Sequence, residues 1–186
     1  MEKFIPEPRK RSNAKLIGRI VLKMGDITKE SDVDAIVSVI PINMDVGGSL
    51  NQSLIAAAGQ ALDEFILDNI FKPRPGDTFV APGFGLPVKN IIFVVTPLWR
   101  DNFDKEDVHL LRCYRHAMEL ARNMGLRRIA FPAIGMGRRG YPPERAARLA
   151  LQGVMDRMQD DVGEVRIVCD DDKVYNAFAE RLKKLG

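Results

Sequence analysis

Two short stretches of this 186-residue chain combine glycines with polar side chains in the way phosphate-cradling loops do. The first holds Asn43, Asp45, Gly47, Gly48 and Ser49, between an apolar run and a helical pattern. Gly47 and Gly48 can take left-handed backbone angles and let the main chain approach a ligand closely. A helix starting near Leu50 then directs free N–H groups and its positive dipole end at the same point. A Gly-Gly pair ahead of a helix is also an ordinary connection, so this loop alone decides nothing. The second stretch is Gly135-Met136-Gly137-Arg138-Arg139-Gly140, again between a strand pattern and a helical one. Arg138 and Arg139 either make charge-assisted contacts to a diphosphate or simply face solvent. Two such loops on one sheet edge would hold two phosphates far better than either holds one.

Several other chemistries are disfavoured. The second loop lacks the Gly-Lys-Ser/Thr of a Walker loop. Gly135, Gly137 and Gly140 formally satisfy the dinucleotide fingerprint, but they come late in the chain and no strand-end acid follows at the required distance. Asp45 has the chemistry of a general base, but Asn and Asp in turns, as at Asn43 and Asp45, more often bond their own backbone. The run Asp170-Asp171-Asp172 is read as helix capping and dipole compensation rather than a metal site. His109 and His116 share a helical face without a third ligand and are read as structural. No metal and no cofactor is expected.

The elements that must position these loops alternate in type. Ile17 to Lys23 and Ala35 to Ile40 read as strands, the second nearly all apolar and so buried on both faces. Leu50, Leu54, Ala57, Ala58, Ala61, Leu62 and Phe65 recur on one helical face. Thr78 to Ala81 and Asn90 to Thr96 are strands, and Leu110 to Ala121 is helical with Gly125 as its stop. Arg128 to Ala133 is a strand, Pro142-Pro143-Glu144 opens a helix, Val165 to Cys169 is a strand, and Val174 to Leu185 is helical. Alternation of this kind predicts an α/β architecture with helices on both sides of a largely parallel sheet, whose ligands bind beyond the carboxyl ends of the strands.

Composition bounds the setting. With 46% hydrophobic and 28% charged residues, the chain has the make-up of a water-soluble globular domain. It has no apolar run near the roughly 20 residues that span a bilayer. Met1 to Lys15 has no signal-peptide core, and the two cysteines, Cys113 and Cys169, lack metal-ligand spacing, so a reduced cytoplasmic location without membrane contact is expected. Lys3, Arg9, Lys10, Arg11, Lys15 and Arg19 supply much of the basic bias behind a net charge of +3. They are not interleaved with stacking aromatics, which argues against nucleic acid as a partner. Pro6 and Pro8 mark residues 1–15 as a flexible basic lead-in to one domain over 16–186.

The order of motifs resembles the macro domain family over roughly Leu16 to Leu185. The resemblance rests on Gly25-Asp26-Ile27-Thr28, Val33-Asp34-Ala35-Ile36-Val37, Gly47-Gly48-Ser49 with Ala57-Ala58-Gly59, and Pro82-Gly83 with Leu86-Pro87. It continues through Cys113-Tyr114 and Ile129-Ala130-Phe131-Pro132-Ala133-Ile134, running on to Gly137, Gly140, Tyr141 and Pro142. The resemblance implies a three-layer α/β/α fold with a mixed, largely parallel sheet. It also implies a pocket for ADP-ribose or a related nucleotide, free or on ADP-ribosylated protein. Asp26 would then accept from the adenine amino group and Ile27 would pack on the base. Gly47, Gly48 and Ser49 would hold one side of the diphosphate and the distal ribose. Gly135, Met136, Gly137 and Arg138 would close over the other side, with Ser38, Ala133, Arg139, Gly140 and Asp170 lining the same pocket.

The sequence also departs from that family's pattern. Where hydrolytic members carry an asparagine pair, this chain has Ser38 and Pro41, and proline offers neither a side-chain donor nor an N–H. Asp170 stands where an aromatic often packs near the adenine. The expectation is therefore a binder of ADP-ribose or a related nucleotide diphosphate without the usual hydrolytic asparagine. Two other readings stay open: an ADP-ribosyl hydrolase or O-acetyl-ADP-ribose deacetylase using Asp45 or Asn43, and a nucleic-acid or protein interaction module with a vestigial pocket.

Overall fold

The computed structural model describes residues 10–44, 49–98, 103–136 and 141–186. Six strands form one sheet: β1 (Ile20–Met24), β2 (Ala35–Pro41), β3 (Thr78–Pro82), β4 (Asn90–Thr96), β5 (Arg128–Pro132) and β6 (Glu164–Cys169). Their spatial order is β1-β6-β5-β2-β4-β3, parallel throughout except that β3 returns antiparallel to β4 through a hairpin. The helices are α1 (Lys10–Ile17), α2 (Ser49–Ala58), α3 (Gln60–Asn69), α4 (Phe103–Asn123), α5 (Pro143–Arg157) and α6 (Asp172–Leu185), with a 3-10 turn at Ile27–Lys29. No helix among the described residues is long and apolar enough to cross a membrane.

Successive strand side chains point to opposite faces, so each apolar strand feeds two cores. Ala35, Val37, Ile92, Val94, Ile129 and Phe131 face one way and pack with α4, α5 and α6 through residues such as Tyr114, Leu151 and Phe178. Ile36, Ile40, Ile91 and Phe93 face the other way, against Leu54 and Ala58 of α2 and Leu62 and Ile66 of α3. The expected three layers are present, with the sheet buried between them.

Three elements differ from the sequence reading. The chain from Lys10 to Ile17 is helical rather than extended, and β1 begins at Ile20 instead of Ile17. Pro6 and Pro8 constrain only what precedes this segment, and no further breaker occurs before Gly18. The helical turn closes with Gly18 N donating to Ala14 O at 3.1 Å and Arg19 N to Leu16 O at 3.0 Å. Lys15 reaches Asp160 at 3.2 Å, which ties the helix to the body of the domain. The single helix expected from Leu50 is two, because Gly59 with φ +99° turns the chain between α2 and α3.

The α4–α5 contact is closest at Gly153. A Cβ there would sit 2.8 Å from Tyr114 Cβ and 3.0 Å from Leu111 O. Gly153→Ala should therefore lower the unfolding free energy by about 1–3 kcal/mol through overpacking. Urea denaturation reads this directly, and an unchanged midpoint would contradict the packing described.

Candidate functional site

Parallel pairing brings the carboxyl ends of β1, β6, β5, β2 and β4 to one edge of the sheet. In that spatial order the edge carries Asp26 and Ile27, then Asp170, then Ala133 to Met136, then Asn43, then Thr96. The strands that lead into the two glycine-bearing stretches, β5 and β2, are thus spatial neighbours, although about ninety residues separate them in sequence.

Between those two strands the sheet parts. The β2–β5 ladder consists of Ala35 with Ile129 and Ile36 with Ala130, and it ends there. Beyond it β2 stays paired to β4 as far as Pro41 with Thr96, while β5 stays paired to β6 as far as Pro132 with Val168. The chain leaves β2 toward β4 and leaves β5 toward β6, so this is a topological switch point, where a crevice opens outside the strand ends.

Parting strands strand backbone groups that must find other partners. Ile42 N donates to Thr96 O at 3.0 Å, toward β4. Since backbone groups alternate sides along a strand, Val39 and Pro41 direct theirs toward the departed β5. At Val39 the carbonyl accepts instead from Asn51 Nδ2 of α2, at 3.0 Å. Ser38, 1% exposed, donates from its hydroxyl to Asn51 Oδ1 at 3.2 Å. At position 41 a proline has no N–H to leave unpaired, so the residue that departs from the family pattern suits the parted strand. On the opposite lip, the buried hydroxyl of Tyr114 accepts from Ile134 N at 2.8 Å and makes a longer contact of 3.4 Å to Pro132 O. Burial raises the Tyr114 phenol well above its ordinary range, so it stays protonated.

Each predicted residue among those described has a definite place. Asp26 is the N-cap of the 3-10 turn and takes both bonds on Oδ1, from Thr28 N at 2.9 Å and Thr28 Oγ1 at 2.7 Å. The hydroxyl bond leads in holding its carboxyl below the usual range, and among the described residues Oδ2 has no hydrogen-bond partner. Ile27 is buried beside it. Ser38 is committed to Asn51 and does not present a free hydroxyl to the crevice. Asn43 is exposed in a tight turn that closes with Met44 N donating to Pro41 O at 2.8 Å. Ala133 and Met136 are half-buried at the end of β5. Asp170 is exposed after β6, and the capping falls to Asp171, which accepts from Lys173 N at 2.8 Å and Val174 N at 3.2 Å. Ser49 opens α2, while Asp45, Gly47, Gly48, Gly137, Arg138, Arg139 and Gly140 lie outside the described residues.

The second loop is nevertheless anchored at both ends. Gly135 has φ +85°, a conformation that favours glycine, and its carbonyl accepts from Tyr141 N at 2.9 Å. Asp107 of α4 accepts from Arg145 of α5 at 2.7 to 3.1 Å and also faces the Tyr141 phenol. Burial first, and then the Asp107 charge, push that phenol well up. These contacts fix where the loop leaves β5 and where it enters α5.

The β1 end of the edge has its own brace. Arg166 of β6 donates to Glu164 at 2.7 Å, to buried Glu30 at 2.8 Å and through two nitrogens to Asp32. Lys23 adds a contact of 2.9 Å to Glu30. Residues 30–32 follow the 3-10 turn directly, so this network pins the turn that carries Asp26 and Ile27. No group of three or more His, Cys, Asp or Glu placed to hold a metal occurs among the described residues. His116 Nδ1 lies 2.6 Å from Gly76 O, in a structural contact, and burial pushes the thiols of Cys113 and Cys169 up to about 12, which leaves both as inert core residues.

Sequence reasoning missed Asn51, Tyr114 and Arg166. Asn51 and Arg166 had a faint signal, a polar residue within an otherwise apolar helix face or strand, but only the parted sheet explains why Asn51 is needed.

A family model described as Macro domain matches residues 40–150. A macro domain-containing protein of Methanosarcina mazei is 37% identical over 171 residues, covering 91% of this chain and 90% of its own. An O-acetyl-ADP-ribose deacetylase of Cronobacter turicensis is 32% identical over 170 residues, covering 89% and 96% respectively. Among solved structures, the Oceanobacillus iheyensis macrodomain with ADP superposes with a TM-score of 0.77 at 34% identity, covering 91% of this chain and 93% of that one.

Two outcomes are expected. Asn51→Ala leaves the Val39 carbonyl and the Ser38 hydroxyl unpaired and should cost about 2 kcal/mol in chemical denaturation; a loss within error would show that the lip does not need it. Arg166 holds the Asp32 carboxyl down at about 2, so the stability from this pair is complete above the ordinary carboxylate value and is lost as pH falls through about 2. Melting temperatures of the native protein and Asp32→Asn should differ near neutral pH and converge toward about pH 2; a constant gap would contradict the pairing.

Proposed function

The chain belongs to the macro domain family, and we propose that it binds ADP-ribose, or a closely related nucleotide diphosphate, without the family's usual hydrolytic chemistry. The observation that supports the reading is the parting of β2 and β5, the two strands from which the glycine-bearing stretches run on. Asp26 and Ile27 stand at the β1 end of the same edge, with the second carboxylate oxygen available to an adenine amino group. In this reading the diphosphate crosses the crevice between Gly47-Gly48 and Gly135-Gly137, and it is held by backbone N–H groups. The distal ribose then meets the Pro41 lip. That lip has a proline with no donor and a Ser38 hydroxyl already bonded to Asn51, so neither places a water. Protein-bound ADP-ribose fits the same arrangement, because the distal ribose is the end that carries the modification.

A deacetylase or hydrolase remains the alternative, favoured by the name of the Cronobacter turicensis relative. Its candidates are Asn43, exposed on the turn after β2, and Asp45. Calorimetry with ADP-ribose separates the readings when run beside a turnover assay on O-acetyl-ADP-ribose and ADP-ribosylated protein. Binding without turnover is expected. Asp26→Asn keeps the turn-capping acceptor but removes the charge, and it should weaken binding about ten- to a hundredfold. No binding at high micromolar ADP-ribose would sink the proposal, and undiminished binding by Asp26→Asn would remove the adenine assignment. Turnover that disappears in Asn43→Ala or Asp45→Ala would transfer the case to the enzyme.

A further inference from the structure

Outside the crevice, a cavity of about 670 Å³ lies between the start of α5 and one face of α6. We infer that this groove is a second anion site, built for a small ligand that presents two or more phosphate groups. Arg145, Arg148, Lys173, Arg181 and Lys184 line it, against two exposed carboxylates, Glu144 and Glu180. Arg145 is already paired with Asp107. The other four cations have no carboxylate partner among the described residues, although most arginines elsewhere on this domain do.

Two further features point to an anion rather than to a merely solvated basic face. The Arg181 Nε is buried without a hydrogen-bond partner, a donor left wanting an acceptor within the groove wall. The first turn of α5, which also lines the groove, has no side-chain cap, and exposed Glu144 offsets only part of its positive end. The volume is that of a small-molecule pocket, and a chain of linked phosphates matches several cations spread along one helix face better than a single anion does. The groove does not depend on the reading of the crevice, because none of its lining residues belongs to the β2 or β5 lip.

The test is an amide chemical-shift titration of the full chain with inorganic tripolyphosphate, with sulfate at matched ionic strength as the control. Saturable shifts at Lys173, Asn176 and Arg181 are expected with tripolyphosphate and not with sulfate. They should persist when ADP-ribose is already present, and that ligand is followed separately at Asp26 and Gly135. Arg148→Gln with Arg181→Gln should weaken tripolyphosphate at least about tenfold, and the exposed pair Lys173→Gln with Lys184→Gln provides the same test without touching a buried atom. Non-saturating shifts, equal shifts with sulfate, or an affinity unchanged in both double variants would overturn the inference. Binding confined to a single-stranded RNA, with none to tripolyphosphate, would also overturn it and give the face to a macromolecule instead.

Discussion

A sheet that must part in its middle has to find partners for the backbone groups it exposes, and much of this domain answers that demand. The β2–β5 ladder stops at Ile36 and Ala130, so both strands continue with one side uncovered. A buried polar backbone group without a partner is costly, and side chains from the helices supply partners here. Asn51 reaches from α2 to the Val39 carbonyl, and Tyr114 reaches from α4 to Ile134 N–H. At position 41, proline removes the donor altogether. The opening therefore follows from specific side chains and does not need a ligand to hold it.

The same constraint links fold to chemistry. The chain leaves β2 and β5 in opposite directions, and α2 and α5 accordingly lie on opposite faces of the sheet. Gly135 and Tyr141 clamp one stretch at its base, with Asp107 and Arg145 behind them. The Arg166 network fixes the far end of the edge, where Asp26 caps its turn. The edge of the sheet is thus framed by hydrogen-bonded polar side chains from β6, α2, α4 and α5.

Much of this was legible in the sequence, for identifiable reasons. Apolar runs such as Asn90 to Thr96 gave strands directly, and the span of β4 agrees residue for residue. Asp26 and the glycine-bearing loops stood out through the order of motifs that carries the family resemblance, since each residue type alone has ordinary uses at a turn. The helix over Lys10–Ile17 did not stand out, since prolines upstream suggested an extended chain and its anchor at Asp160 is remote in sequence. Ser38 was read into the pocket from its place at the first position of the family's asparagine pair. Its partner Asn51 lies thirteen residues away on another element, and only the tertiary structure pairs them. The groove between α5 and α6 was equally invisible, because its cations come from two helices that each look like ordinary solvated faces.

The most direct measurement of the central claim is a crystal structure of the chain with ADP-ribose. The account predicts the diphosphate between the carboxyl ends of β2 and β5, the adenine amino group on Asp26, and the distal ribose beside Pro41 with no water placed for attack. A nucleotide bound elsewhere, or a diphosphate that makes no contact with either glycine-bearing loop, would contradict it.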